Sequence, residues 1–311
     1  MAATEEVPEQ EEEVIIVGAG QSGLAAAACL SLRRVHSLIL ERDDCVASLW
    51  RHRTYDRVRL DLAKHHCTLP HALHDTAVPT YLPRDDFVRY LDAYVNRFAV
   101  CSHLRRRTER YSARHLVAAT GKNDEKVVPE VPGLNTFPGK VVHASDYRSV
   151  EEFKGKLVLV VGCGNSGIEI TYDLAVAGSA TSIVVCSKVH LVSKEIWNMA
   201  MTLYRYLPLW VIDKMVLLMC AVVFGDTARY GLWRPAIGPF TMKLTTPMYP
   251  VYDVGTFAKI RSGEIHVVPA APKSIHSSDV EFANGMQHAF DAIVFATGYR
   301  STTKQWLKAS T

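Results

Sequence analysis

Residues 14–23, VIIVGAGQSG, constrain this chain more than any other stretch. Four consecutive β-branched residues, Val14, Ile15, Ile16 and Val17, predict a strand buried on both faces, as in a parallel sheet. The alanine-rich run over 22–32 predicts the helix that follows it. Between them Gly18 permits a tight turn, Gly20 lets backbone approach a pyrophosphate, and Gly23 lets the helix pack closely on the strand. The amides at the helix start then face the anion. The next strand, 37–40, ends in Glu41, 23 residues beyond Gly18, where an acid can accept both ribose hydroxyls of an adenosine. A glycine triplet alone is weak evidence, but strand, turn, helix, strand and acid in that order specify a dinucleotide site.

The same grammar returns 144 residues later. Residues 157–161 form a second apolar strand, GCGNSG (162–167) the turn, and 168–177 the helix. Here the next strand, 182–185, ends in Cys186, Ser187 and Lys188 with no acid. Without a carboxylate there is no repulsion toward a 2′-phosphate, and Ser187 with Lys188 can bind one, so this second site is expected to prefer NADPH over NADH. The alternative for Lys188 is an ordinary surface lysine. A pair of matching segments, LVAATG (116–121) and IVFATGY (293–299), closes each unit. A small Ala-Thr-Gly turn allows backbone to pass close to a cofactor, whereas a single copy would read as an ordinary strand end.

Composition narrows the remaining classes. A length of 311 residues favours two domains, and 48% hydrophobic with 22% charged residues excludes disordered, collagenous and coiled-coil chains. The net charge is +3, with six glutamates crowded into the first thirteen residues, so the body carries a larger basic surplus suited to an anionic ligand. Seven cysteines without a CxxC pair indicate a reduced protein with neither a zinc site nor a dithiol redox centre. No secretory signal is visible at the acidic start. The most apolar segment, 215–224, is ten residues long, too short to span a bilayer, and reads as a buried helix or, alternatively, a membrane-surface contact. Arginines 105, 106, 107, 110 and 114 read as a solvated loop, with no interleaved aromatics to suggest nucleic acid.

Two dinucleotide folds in one chain, the first with a ribose acid and the second without, resemble the two-dinucleotide flavoproteins. Disulfide reductases of that class need a cysteine pair beside the flavin, which is missing here. Instead Phe137, Gly139, His143 and Tyr147 stand in the FxGxxxHxxxY spacing of flavin-containing monooxygenases. Within that family LERDDCVASLW (40–50), RTYDRVRLDL (53–62), VLVVGCGNSG (158–167), YGLWRPAIGP (230–239), KIRSGEIHVVP (259–269) and ATGYRS (296–301) resemble the plant YUCCA group, which converts indole-3-pyruvate to indole-3-acetate.

The resemblance implies an α/β chain of two Rossmann-like three-layer domains, the second inserted in the first. A disordered acidic leader would cover 1–13, the FAD domain 14–121, the NADPH domain with substrate-pocket helices 122–292, and a return segment to the FAD domain 293–311. It implies FAD held by Gly18, Ala19, Gly20, Gln21, Ser22, Gly23, Glu41, Arg42, Trp50, Thr120 and Gly121. NADPH would be held by Gly162, Cys163, Gly164, Asn165, Ser166, Gly167, Ser187 and Lys188, with Thr297 and Gly298 completing the cofactor contacts. The implied reaction passes hydride from NADPH to FAD, activates O₂ on the reduced flavin, and cleaves carbon dioxide from an aryl 2-oxo acid, so the protein contributes placement more than acids and bases. N- or S-oxygenation, or a cofactor-binding remnant, are the competing readings. His143 reads first as a structural histidine. Tyr204, Tyr206, Trp210 and Trp233 read as core packing, with an indole pocket as the alternative. Residence is expected to be cytosolic, with peripheral contact to the endoplasmic reticulum as the alternative; the sequence carries no signal for oligomeric state.

Several positions depart from the family pattern. Asp61 occupies the flavin-proximal position where relatives carry asparagine or histidine, and a carboxylate there would repel an anionic oxygen species unless protonated. Cys186 replaces an arginine for the NADPH phosphate. A small antiparallel sheet between 98 and the first ATG segment, and a flavin-enclosing segment after Tyr299, look shortened.

Overall fold

The computed structural model describes residues 10–100, 102–104 and 111–308, and its chain divides into two compact units. The boundaries fall after Glu125 and after Gly298, so the second unit is inserted in the first.

The first unit is a parallel sheet of order β3-β2-β1-β4, with β1 (Gln10–Val17), β2 (Ser37–Glu41), β3 (Ser102–Leu104) and β4 (Tyr111–Ala118). Helices α1 (Gln21–Ser31), α2 (Ser48–His52) and α3 (Arg84–Phe98) accompany it. Ile16 sits at the centre, in register with Ile39 on one side and Val117 on the other. It joins Leu24, Ala28, Phe87, Leu91 and Tyr94 in one buried cluster. The β-branched run expected to be a two-faced strand therefore is one.

Two expectations are corrected here. The acidic leader ends earlier than residue 13: Gln10, Glu11 and Glu12 pair with Tyr111, Ser112 and Ala113, and Glu12 accepts His36 at 2.9 Å. Backbone pairing and that contact offset the repulsion among neighbouring glutamates. Arg114 lies in β4, not in a loop, whereas Arg105, Arg106, Arg107 and Arg110 fall outside the described residues.

The chain passes into the second unit through β5 (Glu125–Lys126). There β6 (Lys140–His143), β7 (Leu157–Val161), α4 (Asn165–Val176) and β8 (Ala180–Val184) begin a five-stranded parallel sheet. After β9 (Leu191–Ser193), α5 (Lys194–Leu203), α6 (Leu209–Phe224), α7 (Pro239–Thr245), β10 (Val251–Asp253) and α8 (Thr256–Ser262), β11 (Ile265–Val268) adds to it beside β8. A small antiparallel sheet of β12 (Pro272–His276), β13 (Asp279–Phe282) and β14 (Gln287–Ala289) precedes β15 (Ala292–Phe295). The order is β11-β8-β7-β15-β6, so β15 is an interior strand with all four residues buried. Residues 293–298 thus belong to the second unit rather than to the return segment, which begins at β16 (Tyr299–Arg300) and α9 (Thr303–Trp306).

The apolar segment 215–224 lies in α6, which starts earlier, behind Pro208. Its inner face is Ile212, Asp213, Val216, Cys220 and Phe224, at the i, i+4 spacing of one helical stripe. Leu218, Val222 and Val223 are exposed, so the helix is buried on one side only. Asp213 faces inward because its carboxylate caps the start of α7, accepting the amides of Phe240 at 2.7 Å and Thr241 at 3.2 Å and the Thr241 hydroxyl at 2.5 Å. Gly238 is required there, since a Cβ would stand 2.3 Å from the Asp213 carboxyl carbon. Tyr204, Tyr206, Trp210 and Trp233 are exposed, not core. The aromatic core of this region is Trp197 stacked on Phe240 at 4.1 Å, with Tyr252 edge-on at 5.8 Å. The stripe set by Ile212 and Val216 turns Trp210 to another face of α6. Among the described residues no helix is long and apolar enough to cross a membrane.

Candidate functional site

Each unit builds its glycine turn in the same way. After β1, Gly18 has φ +109° and an added Cβ would stand 2.5 Å from the Ala119 carbonyl oxygen. After β7, Gly162 has φ +113° and its Cβ would stand 2.5 Å from the Ala296 carbonyl oxygen. Thus the alanine of each Ala-Thr-Gly segment is the backbone that presses on the first glycine. It is held there by Ala119 N–H donating to Val17 and Ala296 N–H donating to Val161, both at 2.8 Å. Gly23 and Gly167 complete the turn: a Cβ would lie 1.9 Å from the Gly18 carbonyl oxygen and 2.1 Å from that of Gly162. These two glycines allow helix-on-strand packing.

The middle glycines differ in kind. A Cβ on Gly20 or Gly164 would meet nothing within 4 Å, so these positions leave open space in front of the helix. Both α1 and α4 start without a side-chain cap and without an acid in the first turn, leaving their leading amides to an anion. Both turns stand where the strand order reverses, beside β4 and beside β15, which is where ligands bind in open parallel sheets.

In the first unit the turn opens on a cavity of about 600 Å³ lined by Gly18, Gly20, Gln21, Ser22, Glu41 and Arg42 together with Trp50, Thr120 and Gly121. Glu41 lines it from the end of β2 while accepting Ala19 N–H at 2.6 Å and Asp43 N–H at 3.0 Å. Its carboxylate therefore fixes the turn and the following loop, and each oxygen keeps a further lone pair. Arg42 pairs with Asp124 at 2.8 Å. Burial acts to raise the Asp124 carboxyl, but hydrogen bonds from Arg42 and Thr302 and the charges of Arg42 and Arg53 hold it below its ordinary range. Asp61 is half-buried and is not among the residues lining the cavity.

The wall has members that reading the chain missed. Asp124, Thr302 and Trp306 line the cavity, the last two from the returning segment. That segment is fastened by the Thr302 hydroxyl donating to Asp124 and by Thr120 and Thr303 hydroxyls 3.1 Å apart. No local signal marks these contacts, because the partners are about 180 residues apart in sequence.

In the second unit Asn165 anchors the turn, its Oδ1 accepting Tyr252 N–H at 2.9 Å. Cys163, between the first two glycines, has its thiol pushed up to about 12 by burial, so it stays protonated and inert at neutral pH. Ser166 follows in the first turn of α4. Cys186, Ser187 and Lys188 are exposed just beyond β8. Thr297 donates its hydroxyl to Val127, and Gly298 takes φ +87°. His143 is buried with both ring nitrogens engaged: Nδ1 accepts Ser145 N–H at 3.1 Å and Nε2 lies 3.2 Å from the Gly298 carbonyl oxygen. Burial lowers its pKa, so it is a neutral ring that ties β6 to the end of β15. Tyr147, fully buried, donates to Asp173 at 2.9 Å. The described cysteines, Cys29, Cys45, Cys67, Cys163, Cys186 and Cys220, are free thiols.

Known proteins resemble this chain in sequence and fold. Residues 16–77 match the family of NAD(P)-binding Rossmann-like domains, and residues 95–195 match the pyridine nucleotide-disulphide oxidoreductase family. A flavin-containing monooxygenase from Stenotrophomonas maltophilia superposes with a TM-score of 0.69 at 20% identity, covering 94% of this chain and 79% of that one. OTEMO, solved in complex with FAD and NADP, gives a TM-score of 0.67 at 16% identity over 96% of this chain and 74% of its own. The sequence is 44% identical over 322 residues to the probable indole-3-pyruvate monooxygenase YUCCA10 of Arabidopsis thaliana, covering 96% of this chain and 84% of that one. The chain belongs to the YUCCA family of flavin monooxygenases. As a YUCCA-type enzyme it is an NADPH-dependent oxidoreductase whose cofactors are FAD and NADPH.

Proposed function

We propose that the first unit holds FAD, the second holds NADPH, and the enzyme oxidatively decarboxylates indole-3-pyruvate to indole-3-acetate in auxin biosynthesis. The observation that carries the cofactor assignment is the contrast at the ends of β2 and β8: the paired carboxylate oxygens of Glu41 in one unit, Ser187 and Lys188 in the other. A carboxylate beside the ribose suits a free 2′-hydroxyl, whereas a lysine and a hydroxyl suit a 2′-phosphate. The substrate rests on the names of the relatives, YUCCA10 among them.

The residues fit the cofactors they would hold. Gly20 and Gly164 leave the space in which a pyrophosphate can meet the helix amides, and Cβ atoms would fill it. Bound FAD and NADPH supply hydride transfer and O₂ activation. The chain supplies the rest: amides that bind phosphates, Glu41 to orient the adenosine ribose, and Asp124 with Thr302 to hold the cavity wall. His143 keeps its proton on Nε2 and fixes the end of β15 beside the glycine turn. The same assignment makes the division at 125 and 298 a division of labour between flavin and nicotinamide domains.

Purified protein should carry a yellow flavin spectrum, bleach with NADPH in the absence of oxygen, and in air form indole-3-acetate in step with NADPH consumed. NADPH oxidation coupled instead to an N- or S-oxide would replace the substrate assignment, and folded protein unable to take up FAD would overturn the cofactor assignment.

A further inference from the structure

One cluster of donor side chains stands apart from the cofactor cavity. Asp44, Cys45 and His52 bring a carboxylate oxygen, a thiol sulfur and an imidazole nitrogen all within 4.8 Å of one another. Cys45 Sγ lies 3.2 Å and Asp44 Oδ1 lies 3.4 Å from the same atom, His52 Nε2. None of the three lines the cavity, although Ala47, Ser48, Leu49 and Trp50 between them do.

The sequence spacing, one cysteine and a histidine seven residues on, carries no recognised metal signature. The fold makes the cluster. Glu41 fixes the start of the loop through Asp43 N–H, Ala47 turns the chain with φ +55° while donating its amide to Ala19, and α2 then carries His52 back toward Cys45.

The arrangement is not that of a nucleophile with its base. A Cys–His–carboxylate relay places thiol and carboxylate on opposite ring nitrogens, so that one orients the proton the other gives up. Here both approach Nε2. Burial, with the hydrogen bond and charge of Asp44, also raises the Cys45 thiol above its ordinary value, opposite to activation. Three donor atoms of different residues held within 4.8 Å of one another are instead spaced to share an ion. Tetrahedral zinc with bonds of about 2.0–2.3 Å separates its donors by about 3.3–3.8 Å; the two distances from His52 Nε2, 3.2 and 3.4 Å, are close to that, and all three donors lie within 4.8 Å of one another. The sulfur, nitrogen and oxygen set selects a borderline-soft ion of the zinc class and not calcium or magnesium. Of the neighbouring charges, Asp43 lies 3.9 Å from both Arg42 and Arg53, and Arg51 pairs with Asp92.

We propose that Asp44, Cys45 and His52 form a binding site for a single zinc-class divalent cation, with the fourth position open to solvent. Asp44 and His52 are exposed, so the ion enters and leaves without unfolding the loop. Because Cys45 must give up its proton to bind, loading releases a proton to solvent.

The test uses the full flavin-loaded chain and zinc alone as probe. Equilibrium dialysis in metal-free buffer should give one zinc per chain, and Cys45→Ser or His52→Ala should each weaken binding on the order of a hundredfold, Asp44→Asn about tenfold. Cys186→Ser, removing an exposed thiol elsewhere, should leave affinity unchanged. X-ray absorption of the loaded protein should show one sulfur in the coordination sphere, lost in Cys45→Ser. No stoichiometric zinc at micromolar concentrations would overturn the proposal, as would affinity that His52→Ala leaves intact in a variant with parental circular dichroism and flavin spectrum.

Discussion

Exchanging Gly18 and Gly20 for alanine, one at a time, separates the folding of the glycine turn from its use. At Gly18 φ is +109°, and the new Cβ would stand 2.5 Å from the Ala119 carbonyl oxygen and 2.8 Å from its carbon. Those atoms are backbone, fixed by the 2.8 Å bond from Ala119 N–H to Val17, so no side chain can swing aside. The forbidden φ alone costs about 1–3 kcal/mol, and with the clash Gly18→Ala should destabilise the protein by about 4 kcal/mol. At Gly20 φ is −78° and ψ 179°, ordinary values for alanine, and an added Cβ meets no atom within 4 Å. The apoprotein should therefore change by less than about 1 kcal/mol. The same methyl intrudes where backbone must approach the pyrophosphate, so FAD affinity should fall about a hundredfold, or about 2.7 kcal/mol. The assay is twofold: urea unfolding of the flavin-stripped protein by circular dichroism, and FAD titration by quenching of flavin fluorescence. Gly20→Ala that binds FAD as the parent does, or that unfolds as early as Gly18→Ala, would refute the roles given to the two glycines.

Asp213→Ala removes three acceptor contacts at the start of α7 and should lower stability by about 3 kcal/mol, read from the denaturant midpoint; an unchanged midpoint would contradict the capping role. Lys188→Ala should raise the dissociation constant of NADPH about tenfold and leave that of NADH unchanged; equal loss for both would show that Lys188 does not read the 2′-phosphate. His74, His143 and His190 all have pKa values lowered by burial, so the fold resists their protonation. Their contribution is fully present above about pH 6.5 and declines as pH falls below it, because the unfolded chain takes up the protons first. Urea midpoints should drop from pH 7.5 to 5.5, with a shallower slope in a His143→Gln, His190→Gln variant, and a flat profile in the parent would refute this. Cys163 should resist alkylation at neutral pH in the native protein, since its buried thiol sits at about 12; mass spectrometry should find the exposed Cys186 modified first.

What the chain determined by itself is what depends on short stretches. Val14 to Val17 with Gly18, Gly20 and Gly23, and the later Gly162, Gly164 and Gly167, were legible because strand, tight turn and helix are formed by neighbours along the sequence. The absence of an acid after β8 was legible for the same reason. Tertiary structure decided everything in which distant residues meet. It placed Ala119 and Ala296 against the first glycine of each turn, a contact that explains why an Ala-Thr-Gly segment closes each unit. It moved β15 into the interior of the second sheet, since backbone pairing on both sides outweighs its position near the end of the chain. It turned Tyr204, Tyr206, Trp210 and Trp233 outward, because composition reports that a segment is apolar while only packing chooses which face is covered. Asp213, which reads from sequence as a charge interrupting an apolar run, became the cap of a helix whose start lies 26 residues further on. Likewise Thr302 joined Asp124 in the cavity wall, and Asp44, Cys45 and His52 came within 4.8 Å of one another. Periodicity and spacing encode which element a residue belongs to; the close approach of backbones and side chains from separate elements is settled only when the elements pack.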